Sequence, residues 1–223
     1  MKVQTNLYQS THPPPSTNID RVRILLVVEG SNDIEFLRRI SRLLHTHDRS
    51  LPNLEDWERR GELIFVPFGG GRVADWSNRL APIGKPEFHL YDREMPPETD
   101  IRLRAVKETN RRPRCRAVLM RKRSLENYLH PEAIRTAGNV DVMFDNSDSV
   151  AEIVAKRCYR SDRDDASWDR LPPRTRRRLA YRAKQWLNTL AVDHMTVNLL
   201  HAQDQDREII SWLRSISLLA DDQ

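Results

Sequence analysis

The sequence has little that would mark it for an oxidising compartment or for a membrane. Two cysteines occur in 223 residues, Cys115 and Cys158. They stand far apart and outside any CxxC or Cys/His spacing, which argues against both a disulfide framework and a zinc site. No apolar run approaches the roughly 20 residues that a spanning helix needs, and the opening MKVQTNLYQSTHPPPSTNID lacks the apolar centre of a secretory signal. These features lead us to expect a cytoplasmic protein with no membrane partner, in which residues 1–20 form a disordered polar arm. No GxxxxGK[ST] loop is present, so a P-loop ATPase is excluded. There is no internal repeat and no long low-complexity tract. His45, His47, His89, His130 and His194 show no metal-ligand spacing.

What is present is charge. Charged residues make up 31% of the chain against 39% hydrophobic, and 37 Lys+Arg exceed 32 Asp+Glu for a net charge of +5. The pI is about 9.5 and the mean hydropathy −0.68. Such a balance permits a nucleic-acid partner without demonstrating one. The length suits one sizeable core with a modest helical addition. Seven glycines against 13 prolines point to many helix edges.

The run Val22–Val28, apolar apart from Arg23, reads as a strand buried on both faces. It ends at Glu29-Gly30. Asn32 opens a capping-box pattern, Asn-Asp-Ile-Glu, and Ile34, Leu37, Ile40, Leu43 and Leu44 follow at helical spacing. A polar stretch through Pro52 and Trp57 leads to a second apolar run, Leu63–Val66, which stops at Pro67-Phe68 and the triple glycine Gly69–Gly71. Val73, Trp76 and Leu80 suggest a short helix. Phe88–Tyr91 is the third strand, ending on Asp92-Arg93-Glu94, and a charged helix over Glu98–Asn110 precedes a fourth strand at Arg116–Met120. This alternation predicts an α/β fold, a mostly parallel sheet of about four strands flanked by helices over residues 21–138. Ligands then gather at the carboxyl ends of the strands. Residues 139–223 carry no strand signal and read as a helical extension, with helices over Ser149–Tyr159, Pro173–Val192 and Arg207–Leu219.

Two of the first three strands end in acid, Glu29 after the first and Asp92 with Glu94 after the third. Alternate positions of an extended segment share a side, so Asp92 and Glu94 are expected to face one pocket while Arg93 faces away. Converging carboxylates repel one another unless a cation lies among them. Oxygen-only ligation suits Mg²⁺, Mn²⁺ or Ca²⁺, and a pair of such ions promotes phosphodiester chemistry. Gly69, Gly70 and Gly71 with Arg72 offer backbone amides and a cation to a phosphate, although three glycines equally suit a plain tight turn. Arg174, Arg176, Arg177 and Arg178 offer a basic track to a nucleic-acid backbone, although such runs are as often solvated faces.

At these residues the chain resembles a family. Val27-Val28-Glu29-Gly30-Ser31-Asn32-Asp33 is similar to the Glu-Gly signature of TOPRIM domains, and Leu90-Tyr91-Asp92-Arg93-Glu94 is similar to their acidic strand end, usually Asp-x-Asp. Within that superfamily it resembles the TOPRIM domains of OLD (overcoming lysogenisation defect) nucleases. There an acid follows the glutamate by one helical turn, as Asp33 does here. A glycine-rich loop follows the second strand, like Phe68–Gly71, and a Glu-Asn-Tyr segment is matched by Glu126-Asn127-Tyr128. The resemblance covers about Arg23–Ile134, and more loosely the helices around Lys184–Asn188 and Glu208–Trp212.

It implies a TOPRIM (Rossmann-like) sheet and a Mg²⁺- or Mn²⁺-dependent nuclease acting in the manner of antiviral defence systems. Glu29, Asp92, Glu94 and Lys184 would do the chemistry. Glu29, Asp33, Asp92, Glu94 and Glu126 would bind metal, one ion or two. Arg123 would lie near the phosphate. The third-strand pair departs from the pattern as Asp-x-Glu, keeping the charge and lengthening one arm. With the ATPase half of full-length OLD proteins missing, a separate ATPase subunit is implied, or an ATP-independent enzyme. DNA stands ahead of RNA as substrate, and a homo-oligomer is open. The nucleophilic-tyrosine domain of a topoisomerase and the polymerising module of a primase have no room. Two other classes are weighed: a receiver-like signalling domain phosphorylated at Asp92, and a catalytically silent TOPRIM that binds nucleic acid or a partner.

Overall fold

Five apolar residues, Ile24–Val28, form the first strand, β1, and all five are buried. In the computed structural model, which describes residues 19–69, 73–161 and 168–222, β1 pairs in parallel with β2 (Leu63–Pro67) on one side and β3 (Glu87–Tyr91) on the other. The fourth strand, β4 (Cys115–Leu119), adds in parallel to β3, giving the order β2-β1-β3-β4. The architecture is therefore α/β with a four-stranded all-parallel sheet, as the alternation of elements predicts. Both central strands are buried on both faces, which explains why β1 shows no apolar/polar alternation.

Helix α1 (Ser31–His47) sets Phe36, Leu37, Ile40 and Leu44 against Ile24, Leu26 and Val28. Its start differs from the expected cap at Asn32. Gly30 is the cap residue, and its N–H donates to Asp33 Oδ2 over 2.9 Å. Leu54–Arg59 forms a helix, α2, where the sequence reads only as polar. Asn53 caps it by accepting from the Asp56 N–H at 3.3 Å. Six residues are too few turns for periodicity to show.

On the other face, α3 (Val73–Trp76) and α4 (Glu98–Thr109) cover Leu25, Val27, Phe68, Tyr91 and Ala117. A polar ladder runs along this side of β3. Its three members occupy alternate positions: His89 Nε2 lies 2.8 Å from Glu87 Oε2, and His89 Nδ1 lies 2.8 Å from the Tyr91 hydroxyl. Arg112 closes the ladder with two hydrogen bonds to Glu87.

The remaining helices are α5 (Pro131–Gly138), α6 (Val150–Ser161), α7 (Pro173–Trp186), α8 (Val197–Gln203) and α9 (Glu208–Asp221). One apolar cluster contains Ile24, Leu26 and Phe88 from the sheet together with Ile209, Trp212, Leu213 and Ile216 from α9. The helices after position 139 thus pack on the same core as β1. The expected single helix over Pro173–Val192 is α-helical only to Trp186. It then widens into a π-helical turn, Leu187–Ala191, and tightens into a 3-10 turn, Val192–His194. Residues 1–18 of the proposed arm, with Gly70, Gly71 and Arg72, lie outside the described residues. No described helix is long and apolar enough to cross a membrane.

Candidate metal centre

Parallel pairing places the ends of β1 and β3 side by side, so the residues that follow them meet. Glu29, Asp92 and Glu94 each bring one carboxylate oxygen to within 4.8 Å of the other two. Asp92 forms the floor, 1% exposed. Glu29 and Glu94 form the rim, with side chains about one quarter and one third exposed, 25% and 31%.

Glu94 reaches this position differently from the expected pleat. Its φ is 50°, in the left-handed region, so the chain turns after Asp92 rather than continuing extended. The turn is held by the Glu94 N–H, which donates to Arg123 O over 3.2 Å. Arg93 faces away, as expected, with Nε donating to Met120 O at 3.0 Å.

A second constellation shares the floor. Lys184 Nζ, on α7, lies 3.7 Å from Asp33 Oδ1, 3.9 Å from Asp92 Oδ2 and 3.7 Å from Glu126 Oε1. Asp33 and Glu126 thus converge on the ammonium, while Asp92 faces both groups. Glu126 has its oxygens satisfied by neighbours: Ser124 Oγ donates to Oε2 at 2.6 Å, and Asn188 Nδ2 donates to Oε1. The Asn188 amide also donates to Lys184 O at 2.9 Å. The π-helical turn is what carries Asn188 inward, and such turns recur at functional sites.

Burial and the mutual charge of these groups together set their titration. Burial pushes the Asp33 carboxyl up to about 6, with Lys184 opposing and Glu126 and Glu29 adding to the rise. Asp92 is driven well above the ordinary carboxylate range, first by burial and then by Asp33, Glu29 and Glu126, against the pull of Lys184. Burial alone would lower the Lys184 ammonium, but Glu126, Asp92, Asp33 and Glu29 outweigh it and hold the lysine charged.

Glu29 Oε2, Asp33 Oδ1 and both carboxylate oxygens of Asp92 are buried without a hydrogen-bond partner. Buried acceptors of this kind are costly when left unmade, and here they sit at the meeting point of two further acids. A hard divalent cation bound by oxygen alone suits that donor set. The residues therefore fit a metal ion among Glu29, Asp92 and Glu94.

Three participants escaped the sequence reading. Arg102 on α4 is buried and donates from Nη1 to Asp92 O over 3.0 Å, while lying 3.5 Å from Glu29 Oε2. Asn188 and Ser124 orient Glu126. Arg102 shares a helical face with Ala105 and Thr109, the other buried residues of α4, but these residue types form no apolar stripe that would mark that face in the sequence. Arg123, a sequence candidate, lies beside the rim, with Nε 3.4 Å from Glu94 Oε2 and Nη1 donating to Ser147 O. Arg174 and Arg177 are exposed on α7, the helix that also carries Lys184.

No protein-family model matches the sequence, and no curated protein matches it. Among solved structures, the C-terminal region of the Xanthomonas campestris pv. campestris OLD protein is similar with a TM-score of 0.49 and 12% sequence identity, over 90% of this chain and 95% of that one.

Proposed function

We propose that the protein is a metal-dependent nuclease of the TOPRIM type, hydrolysing phosphodiester bonds with Mg²⁺ or Mn²⁺ held by Glu29, Asp92 and Glu94. The observation that carries this reading is the convergence of three carboxylates, the lowest of which, Asp92, has buried oxygens with no protein hydrogen-bond partner. The Glu-Gly and Asp-x-Glu motifs that supply these acids support it independently.

A bound divalent cation supplies charge neutralisation at a phosphoryl oxygen. The chain supplies the rest. Glu29, at the rim, is placed to take a proton from an attacking water as its oxygen bonds to phosphorus and the bond to the leaving sugar oxygen breaks. Lys184, charged and fixed beside Asp92, offers positive charge to the phosphoryl group as negative charge develops on it. Arg102 holds the Glu29 carboxylate and the Asp92 main chain in register. Arg123 holds Glu94.

The receiver-like alternative asks Asp92 to be open to a phosphodonor. Its 1% exposure speaks against that.

The test is incubation of the pure protein with DNA and with RNA in Mg²⁺ or Mn²⁺, beside Glu29→Ala and Asp92→Asn. Cation-dependent cleavage that both variants lose is expected. Equal degradation by wild type and Glu29→Ala would remove the assignment.

A further inference from the structure

The electrostatics of α7 are unlike those of the other long surface helices. Its 14 residues, PRTRRRLAYRAKQW, hold Arg174, Arg176, Arg177, Arg178, Arg182 and Lys184 and no acid. In α1, by contrast, Arg38 and Arg39 are paired with Glu35, Glu58 and Asp193. Among the described residues, none of the five arginines of α7 takes part in an ion pair. Four of them lie in the first half of the helix, where the macrodipole disfavours positive charge. An arrangement that raises the electrostatic energy of the free chain is expected where an external polyanion lowers it again.

The second observation is Tyr181, 58% exposed in the middle of this basic surface. Its ring lies open to solvent among cations, where a planar partner can reach it. Arg174, Arg177, Tyr181 and Lys184 follow one another at spacings of three and four residues, which puts them on one helical face. Lys184 at the end of that face touches Asp33, Asp92 and Glu126. At 1.5 Å per residue, Arg177 stands about 10 Å along the axis from the lysine. The face is thus a continuous path of cations, with one ring among them, leading into the acidic centre.

We infer that this face of α7 is a binding track for single-stranded nucleic acid, with Arg174, Arg177 and Arg178 contacting successive phosphates and Tyr181 stacking on an unpaired base. Basic residues alone would follow either a duplex or a single strand. The ring decides between them, because stacking on a side chain needs a base face that a duplex keeps covered. The inference rests on the nuclease reading for its direction, toward Lys184 and the metal centre, and it names the substrate as single-stranded.

The experiment measures binding in EDTA, where no cleavage intervenes. Fluorescent single-stranded DNA, single-stranded RNA and duplex DNA of one length are titrated at several salt concentrations against wild type, Tyr181→Ala, Tyr181→Phe and the Arg174→Ala/Arg177→Ala/Arg178→Ala combination. One or both single strands should bind more tightly than the duplex. Tyr181→Ala should weaken single-strand binding about 5- to 100-fold with the salt slope unchanged, and Tyr181→Phe should restore it. The triple variant should lower the salt slope by about 2, at roughly 0.7 per phosphate contact. Equal affinity for duplex and single strand, or a Tyr181→Ala variant that binds as wild type does, would overturn the track. Hydrolysis of bis(p-nitrophenyl) phosphate by the wild type with Mn²⁺ reads the metal centre separately. Its loss with binding intact would sink the chemistry and leave the track standing, and the reverse pattern would sink the track alone.

Discussion

Arg102 Nη1 donates to the main-chain oxygen of Asp92 and lies 3.5 Å from Glu29 Oε2, so one guanidinium on α4 touches the ends of both central strands. Its side chain is 8% exposed, and it is the fixed cation on the α4 side of the site. Two of its functions are separable: its charge offsets Glu29, and its hydrogen bond fixes the peptide that carries Asp92.

Arg102→Lys keeps the first function and loses the forked geometry that serves the second. We expect it to lower cleavage activity about 10- to 100-fold, the usual effect of disturbing groups that orient metal ligands. Arg102→Ala should do more and also destabilise the fold, because the buried stem is lost with the charge. Activity against Mn²⁺ concentration, read beside a thermal melt, checks both. Wild-type activity in the lysine variant would remove Arg102 from the site.

How much of this was legible in the sequence follows from the physics of each residue. The strand ends were, because a parallel sheet converts a run such as Ile24–Val28 into a position, and Glu29 and Asp92 follow such runs directly. The manner in which Glu94 arrives was not, since a positive φ at a glutamate leaves no trace in residue type. Arg102 was hidden for another reason. Helix α4 buries the arginine and leaves Ile101 and Leu103 each 40% exposed, the inverse of the pattern on which periodicity depends. Lys184 was found by resemblance, whereas Asn188 depends on a π-helical turn that no spacing rule foresees. Short helices such as α2 and α8 fell below the length at which a period declares itself.

Lys184 occupies the space among Asp33, Asp92 and Glu126 that a second cation would otherwise claim. Lys184→Ala should therefore change metal stoichiometry as well as rate. Calorimetric titration with Mn²⁺, or anomalous scattering from crystals soaked in it, should show one ion in the wild type at Glu29, Asp92 and Glu94. A further ion should appear among Asp33, Asp92 and Glu126 in the variant. Cleavage should fall by about 100-fold or more if the ammonium neutralises charge at the phosphoryl group. A wild type that binds two ions without displacing the lysine would refute this division of the site.

The raised carboxyl of Asp33 fixes the sign of a pH effect. Its folded value is about 6 against an ordinary 3.8, so the folded state holds a proton that the unfolded chain has released. Stability that this proton confers is present below the ordinary value and is lost as pH rises from about 4 to about 6. Asp92, shifted the same way, extends the loss upward. A divalent cation replaces the proton as counter-charge. The rise in melting temperature on adding Mn²⁺ should thus be larger at about pH 8 than at about pH 5, and Asp92→Asn should shrink it. An equal rise at both pH values would argue that the cation binds elsewhere.

The buried ladder on β3 provides a contrasting case, separate in role from the candidate metal centre. Burial alone would raise the Glu87 carboxyl, but hydrogen bonds from His89 and Arg112 outweigh it and hold the group below its ordinary value. Glu87 is 1% exposed. The stability it contributes is present above the ordinary carboxylate range and is lost as pH falls through the lowered value, opposite in sign to Asp33. Removing Arg112 leaves the carboxylate buried with only the imidazole beside it. Arg112→Met should therefore cost about 3–5 kcal/mol, the usual penalty for breaking one side of a buried pair. Adding Glu87→Gln should recover part of that loss, because an amide needs no counter-ion. Urea denaturation of the two single variants and the double variant forms a cycle that measures the coupling. If the double variant is no more stable than Arg112→Met, the ladder is held by packing and not by charge.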